Sequence, residues 1–252
     1  ERAIQWAVDN LPSQGGKIVL GEGIFYISET IKPTKPLTII EGMGTGDISE
    51  GAGLCTVIKL ADGANCNGIE NLDTEWRQLL LWHLVLDGNK ANNTKGHGIV
   101  IDYLNMGGHE VGPGLFDVFI KDWAEDGIHG TQYPNIITAQ AFRISDCGGV
   151  GLKAYVQGSQ FLFPNWVVGN GGRGAEITGG SDCIIELYAE GNGEEGVVIG
   201  SLCNSIIRVW TKSNNGQGFY MAGGHGNLLI VHASRNGQNV TYPLYPAEVM
   251  FY

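Results

Sequence analysis

The residues best suited to chemistry in this chain cluster in one acidic stretch, K-D-W-A-E-D-G-I-H-G at residues 121–130, followed by Asp146. Asp122, Glu125, Asp126 and Asp146 are candidate general acids and bases. Hydrolysis of a glycosidic bond needs two carboxyl groups, about 5–5.5 Å apart for retention and about 6.5–9.5 Å for inversion. Neighbouring turns of a repetitive fold offer either separation, and Asp126 with Asp146 is the preferred pair. His129, Lys153 and Glu176 follow at near-regular intervals. Brought side by side, a base, a cation and a carboxylate could perform acid–base work on a sugar. The simpler expectation is a charge ladder worth about 0.2–1 kcal/mol per pair. With roles reversed, Lys153 or His129 would abstract a proton and a tyrosine such as Tyr155 would protonate the leaving oxygen. The carboxylates would suit calcium, yet no calcium spacing motif is present, so neither a metal nor another cofactor is expected.

A second group is aromatic. Trp166, Tyr188, Trp210 and His232 recur at intervals of 22, with Phe142 read as an earlier member. Such a row suits the apolar face of a sugar ring, and it equally suits a contact between subunits. The contact is the first expectation and the glycan platform the second, with cover by the C-terminal tail as a third. Insertions at 89–98, 103–116 and 130–135 should wall a groove, and they bring Tyr103 and His109 into the set of substrate contacts.

What must position these residues is a repeat. Asn170, Asn192, Asn214 and Asn236 are each 22 residues apart, and glycines follow the first three at Gly174, Gly196 and Gly218. Each unit opens with a glycine and a short strand (G-A-E-I, G-V-V-I, G-F-Y-M). A small turn and an alternating strand follow: I-I-E-L-Y-A-E, I-I-R-V-W-T-K, L-L-I-V-H-A-S. Period-two alternation is the strand signal. One unit cannot bury its apolar face alone, whereas stacked units can. Ile185, Leu187 and Ala189, with their equivalents Ile207, Val209, Thr211 and Leu229, Val231, Ala233, are expected to face inward. The asparagines should stack, their amides satisfying turn backbone groups, and Asp146 is a variant start of that ladder. The fold expected is all-β: a single-stranded right-handed parallel β-helix with an N-terminal capping helix. Ile4, Ala7, Val8 and Leu11 lie on one face of that helix, which would cover an otherwise open strand edge. Residues 1–252 form one domain: cap and first strands to 60, rungs with inserted loops to 150, regular rungs over 151–238, and a tail over 239–252.

Composition narrows the partners. Fifteen basic against 26 acidic residues leave a net charge of −11, which argues against nucleic acid. The longest apolar run, Leu79 to Leu86, contains His83 and falls short of the roughly twenty residues of a membrane span, so no membrane partner is expected. Five cysteines without a C-x-x-C pair argue for buried thiols and against a zinc site.

The stretch A-I-Q-W-A-V-D-N-L-P-S-Q-G-G-K-I-V-L-G-E-G-I-F-Y-I-S (3–28), then L-T-I-I-E-G-M-G (37–44) and H-L-V-L-D-G-N (83–89), resembles the opening and a later rung of pectate-lyase-superfamily proteins. The likeness is nearest to the branch holding phage tailspikes and polysaccharide depolymerases. It implies a β-helix, a polysaccharide partner, an extracellular or virion-associated location and a homotrimer. No pectate-lyase calcium or arginine motif and no polygalacturonase aspartate set is present, and His225 in G-G-H-G-N lacks the matching upstream aspartates. No catalytic residue is therefore carried over. The function expected is a polysaccharide-degrading glycosidase, with a lyase or a noncatalytic glycan-binding fibre module as alternatives.

Overall fold

A 22-residue repeat returns every residue to the same place on the next turn, so backbone groups must find partners one rung up and one rung down. The computed structural model, which describes residues 3–46, 55–70, 78–101, 111–241 and 248–251, shows this arrangement. The strands within the coil pair in parallel. One sheet, here called A, runs through Gln78–Asp87, Val111–Lys121, Arg143–Ser145, Trp166–Val168, Ile184–Glu190, Ile206–Lys212 and Leu228–Ser234. The other, sheet B, runs through Ile128–Gln140, Leu152–Gln157, Ala175–Ser181, Val197–Cys203 and Gln217–His225. The chain is a parallel β-helix.

Alternation sets the core. In Ile184–Glu190 every second residue is buried, and Ile185, Leu187 and Ala189 stack under Ile207, Val209 and Thr211. The helix Ala3–Asp9 buries Ile4 and Val8 in the same core, while Ala7 and Leu11 remain partly exposed. The glycine pairs read as turns instead lie inside strands. At Gly180 the chain bends with φ +135°, and a Cβ there would sit 1.4 Å from the carbonyl oxygen of Val156, so only glycine allows the approach. The segment read as a tail continues the coil: Gln238–Thr241 pairs with Gln217–His225, and Glu248–Phe251 with Leu228–Ser234.

The asparagine ladder forms as expected. Asn192 Oδ1 accepts from the backbone N–H of Asn170 at 3.1 Å and from its Nδ2 at 3.0 Å. Asn214 Oδ1 serves Asn192 in the same way, and Asn236 Oδ1 serves Asn214. The Nδ2 groups of Asn192, Asn214 and Asn236 also reach strand carbonyls, at Val167, Ala189 and Thr211. The amide tucks over a glycine: a Cβ at Gly174 would lie 2.7 Å from Asn192 Nδ2 and 2.5 Å from the carbonyl oxygen of Gly196. The residue before each ladder position takes the left-handed conformation, at Asp122, Asp146, Gly169, Gly191, Ser213 and Arg235. One expectation is corrected here. The ladder position on the earlier rung is Cys147, whose N–H donates to Asn170 Oδ1, because Asp146 occupies the left-handed site beside it. On the rung before that, Trp123 fills the interior, its indole N–H on the carbonyl of Leu86 and its ring against Gly68 and Gly88.

None of the five cysteines forms a disulfide, and burial pushes the Cys147 thiol up to about 12. No helix among the described residues is long and apolar enough to cross a membrane.

Asn192→Ala should destabilise the coil by about 1–3 kcal/mol, since it orphans the buried N–H of Asn170 and removes the hydrogen bonds of the Asn192 amide to Asn170 Nδ2, Val167 and Asn214. Urea denaturation checks this; a midpoint equal to wild type would contradict the ladder.

Candidate functional site

Sheet A presents one outward column over nine rungs. In register it reads Ile24, Val57, Val85, Phe119, Arg143, Trp166, Tyr188, Trp210 and His232. The aromatic row read from the repeat is therefore real, with one correction: its earlier member is Arg143. Phe142 is fully buried, because a one-residue shift along a strand reverses the face. Trp166 packs 4.6 Å from Tyr188, and Trp210 stacks on His232 at 5.5 Å with Phe163 on its other side. Tyr188 donates its hydroxyl to Glu190 at 2.7 Å; burial and that carboxylate push the phenol up to about 12.

The first half of this column is the floor of a groove of about 700 Å³. Asp87, Asp117, Asp122 and Asp146 line it, together with Lys59, Lys121, Arg143, Phe119 and Trp166. Asp87 is buried between Lys59 at 3.1 Å and Lys121 at 3.7 Å. Asp122 lies 3.4 Å from Lys121. Asp146 accepts from the Ser145 hydroxyl at 2.7 Å, and its carbonyl accepts from Lys90. On the far wall Asp117 holds His83 at 3.0 Å and the Thr45 hydroxyl at 2.9 Å. His83, Asp117 and Ala141 share the left-handed conformation, which turns the strands out to form that wall.

Two predicted carboxylates, Asp122 and Asp146, thus meet in the groove on successive rungs. The rest of the predicted set stands elsewhere. Between Asp122 and Asp126 the chain passes Trp123, which faces the interior and carries the backbone round the turn toward sheet B. There the column Val100, His129, Lys153, Glu176, Val198, Tyr220 forms in the expected register. Asp126 is 8% exposed. One of its oxygens receives the N–H of Val150 at 2.7 Å, and the other bonds His129 Nδ1 at 2.7 Å. Burial alone would push its pKa up, but the bonds from His129 and Val150 and the nearby His97 outweigh burial and hold it below the usual carboxylate range. A carboxyl group kept ionised orients an imidazole well and donates a proton poorly. Glu125 accepts from the N–H of Gly96 at 2.8 Å and lies 3.7 Å from His97. Lys153 lies 3.8 Å from Glu176, which Arg173 grips at 2.8 Å while also bonding Glu195. Tyr103 and His109 lie outside the described residues.

Sequence reasoning passed over Asp87, Lys59, Lys121, Arg143 and Phe119. The signal lay in the register, but the early rungs vary in length and no fixed period aligns them.

The strand pairing gives the chain the fold of the parallel β-helix proteins, a class defined by architecture. No protein-family profile matches the sequence, and no curated protein does. Among solved structures, the chain is similar to the A-module of the mannuronan C-5 epimerase AlgE4 of Azotobacter vinelandii. The TM-score is 0.69 at 19% identity, covering 98% of this chain and 76% of that one. The corresponding AlgE6 module gives 0.48 at 16% identity over 99% and 94%. The Dettilon tailspike protein gives 0.31 at 11% over 90% and 61%.

Lys153→Ala should cost at most about 1 kcal/mol if the sheet B column is a charge ladder of partly exposed groups. A thermal melt near wild type combined with lost turnover would instead make Lys153 part of the chemistry.

Proposed function

We propose that the protein binds a polysaccharide along the outward column of sheet A and hydrolyses it in the groove, with Asp122 and Asp146 as the acid–base pair. The observation that carries this reading is the groove itself. It joins two carboxylates from successive rungs, about one strand spacing of 4.8 Å apart at the backbone, to aromatic and cationic side chains suited to a sugar. One carboxyl group donates a proton to the glycosidic oxygen as the C–O bond breaks. The other acts at the anomeric carbon, either directly or through a water that it deprotonates. Beyond the groove the aromatic row Trp166, Tyr188, Trp210 and His232 continues the same track along the coil axis. A long polymer fits such a track better than a small sugar does. The fold shared with a mannuronan epimerase module supports a polysaccharide as the class of partner.

The test is a panel of polysaccharides scored for new reducing ends. Asp122→Asn and Asp146→Asn should each lower turnover by at least about 10²-fold on any polymer that the wild type degrades. Full turnover in both variants would overturn the assignment. Unsaturated products, with turnover lost in His129→Ala, would replace hydrolysis by elimination.

The aromatic track and a homotrimer compete for one surface. Trp210→Glu should weaken polymer binding without changing particle size in light scattering. Smaller particles in the variant would reassign the row to a contact between copies.

A further inference from the structure

His97, Asp126 and His129 form a second cluster, away from the groove. Pairing of Ile99 with Ile128 sets the two turns side by side, and the imidazoles pack with centroids 4.4 Å apart and planes tilted by 32°. Asp126 Oδ2 lies 2.7 Å from His129 Nδ1 and 3.7 Å from His97 Nδ1. The three residues offer ligand atoms that all fall within 4.8 Å of one another. Glu125 Oε2 stands 3.7 Å from Nε2, behind the His97 ring, and is itself held by the N–H of Gly96.

Two imidazoles and one carboxylate, with a further carboxylate behind one ring, make a donor set for a divalent transition ion. Calcium and magnesium prefer oxygen alone. We propose that His97 Nδ1, His129 Nδ1 and Asp126 Oδ2 bind such an ion, of the zinc, nickel or copper class. Glu125 is a positioning residue: its carboxylate, 3.7 Å from His97 Nε2, favours the tautomer with the proton on that nitrogen and so leaves the Nδ1 lone pair to the ion. Without an ion, the same edge is occupied by the proton between His129 and Asp126 and by the N–H of Asp126, which donates to His97 Nδ1 at 3.0 Å. The ion displaces both. The neutral His129 ring then carries its proton on Nε2 instead of Nδ1. Because the ligands come from two rungs, the ion ties these rungs together.

The experiment uses the whole 252-residue chain, tag-free and chelator-treated, titrated with Zn²⁺ by calorimetry and with Co²⁺ by visible absorption. One equivalent should bind, with a rise in melting temperature. His97→Gln and His129→Gln should each weaken binding by at least about tenfold, and Glu125→Gln should weaken it by a smaller factor. Circular dichroism shows whether each variant keeps the coil; if His97→Gln does not, His129→Gln, on the outward column, decides. Cys203→Ser removes a separate sulfur–nitrogen pair, Cys203 Sγ with His225 Nδ1 at 3.4 Å, and should bind as wild type does. No uptake by the wild type, undiminished uptake in His129→Gln, or uptake lost in Cys203→Ser would each overturn the proposal.

Discussion

Everything in this molecule depends on how closely one rung can lie against the next. Parallel strands pair only if their backbones stay about 4.8 Å apart over the whole circuit, turns included. At a turn that is difficult, because left-handed corners and inward-facing peptide groups leave donors unpaired. The asparagine ladder meets this need. The amides of Asn192, Asn214 and Asn236 each take the N–H of the ladder residue one rung before and return a donor to a strand carbonyl. The stacked glycines Gly151, Gly174 and Gly196 leave room for the amide, since any Cβ there would collide with the glycine carbonyl of the next rung. Asparagine and glycine are thus one device: the side chain supplies the hydrogen bonds and the missing side chain supplies the space.

Where that device lapses, the chemistry-bearing groups gather. On the two rungs before Asn170 the ladder positions are Cys147 and Trp123, and the left-handed corners beside them are Asp146 and Asp122. A corner that needs a left-handed residue can take glycine, asparagine or aspartate. With aspartate it gains an outward carboxylate at no further backbone cost. The later rungs use glycine, serine and arginine at the same corner and carry no acid. The groove is therefore confined to the early and middle rungs, while the regular rungs extend its floor as an aromatic row.

The regular half of the coil was legible in the sequence because its period is constant. Asn170 to Asn236, the columns from Glu176 to Tyr220 and from Trp166 to His232, and the inward aliphatic residues all follow from one repeat length. The candidate site was legible only in part. Asp122 and Asp146 could be named, but their partners Lys59, Asp87, Lys121 and Arg143 lie on rungs of unequal length, where no counting rule finds the register. Phe142 was misplaced by a single residue, enough to move it from surface to core. Asp126 and Asp146 looked equivalent because both precede turns. The inward turn of Trp123, with a ring for which Gly68, Gly88 and Gly98 leave room, sends Asp126 and its neighbours toward the other sheet.

The constant rung has one more consequence. Since each regular turn pairs its strands with the turns on either side, the coil is graduated in steps of 22 residues. Loss or duplication of one step would rejoin asparagine to asparagine and strand to strand, and would change the aromatic row by one ring. Asp122 and Asp146 would keep their places. The length of the row and the makeup of the groove are therefore separate variables in this architecture, open to change independently.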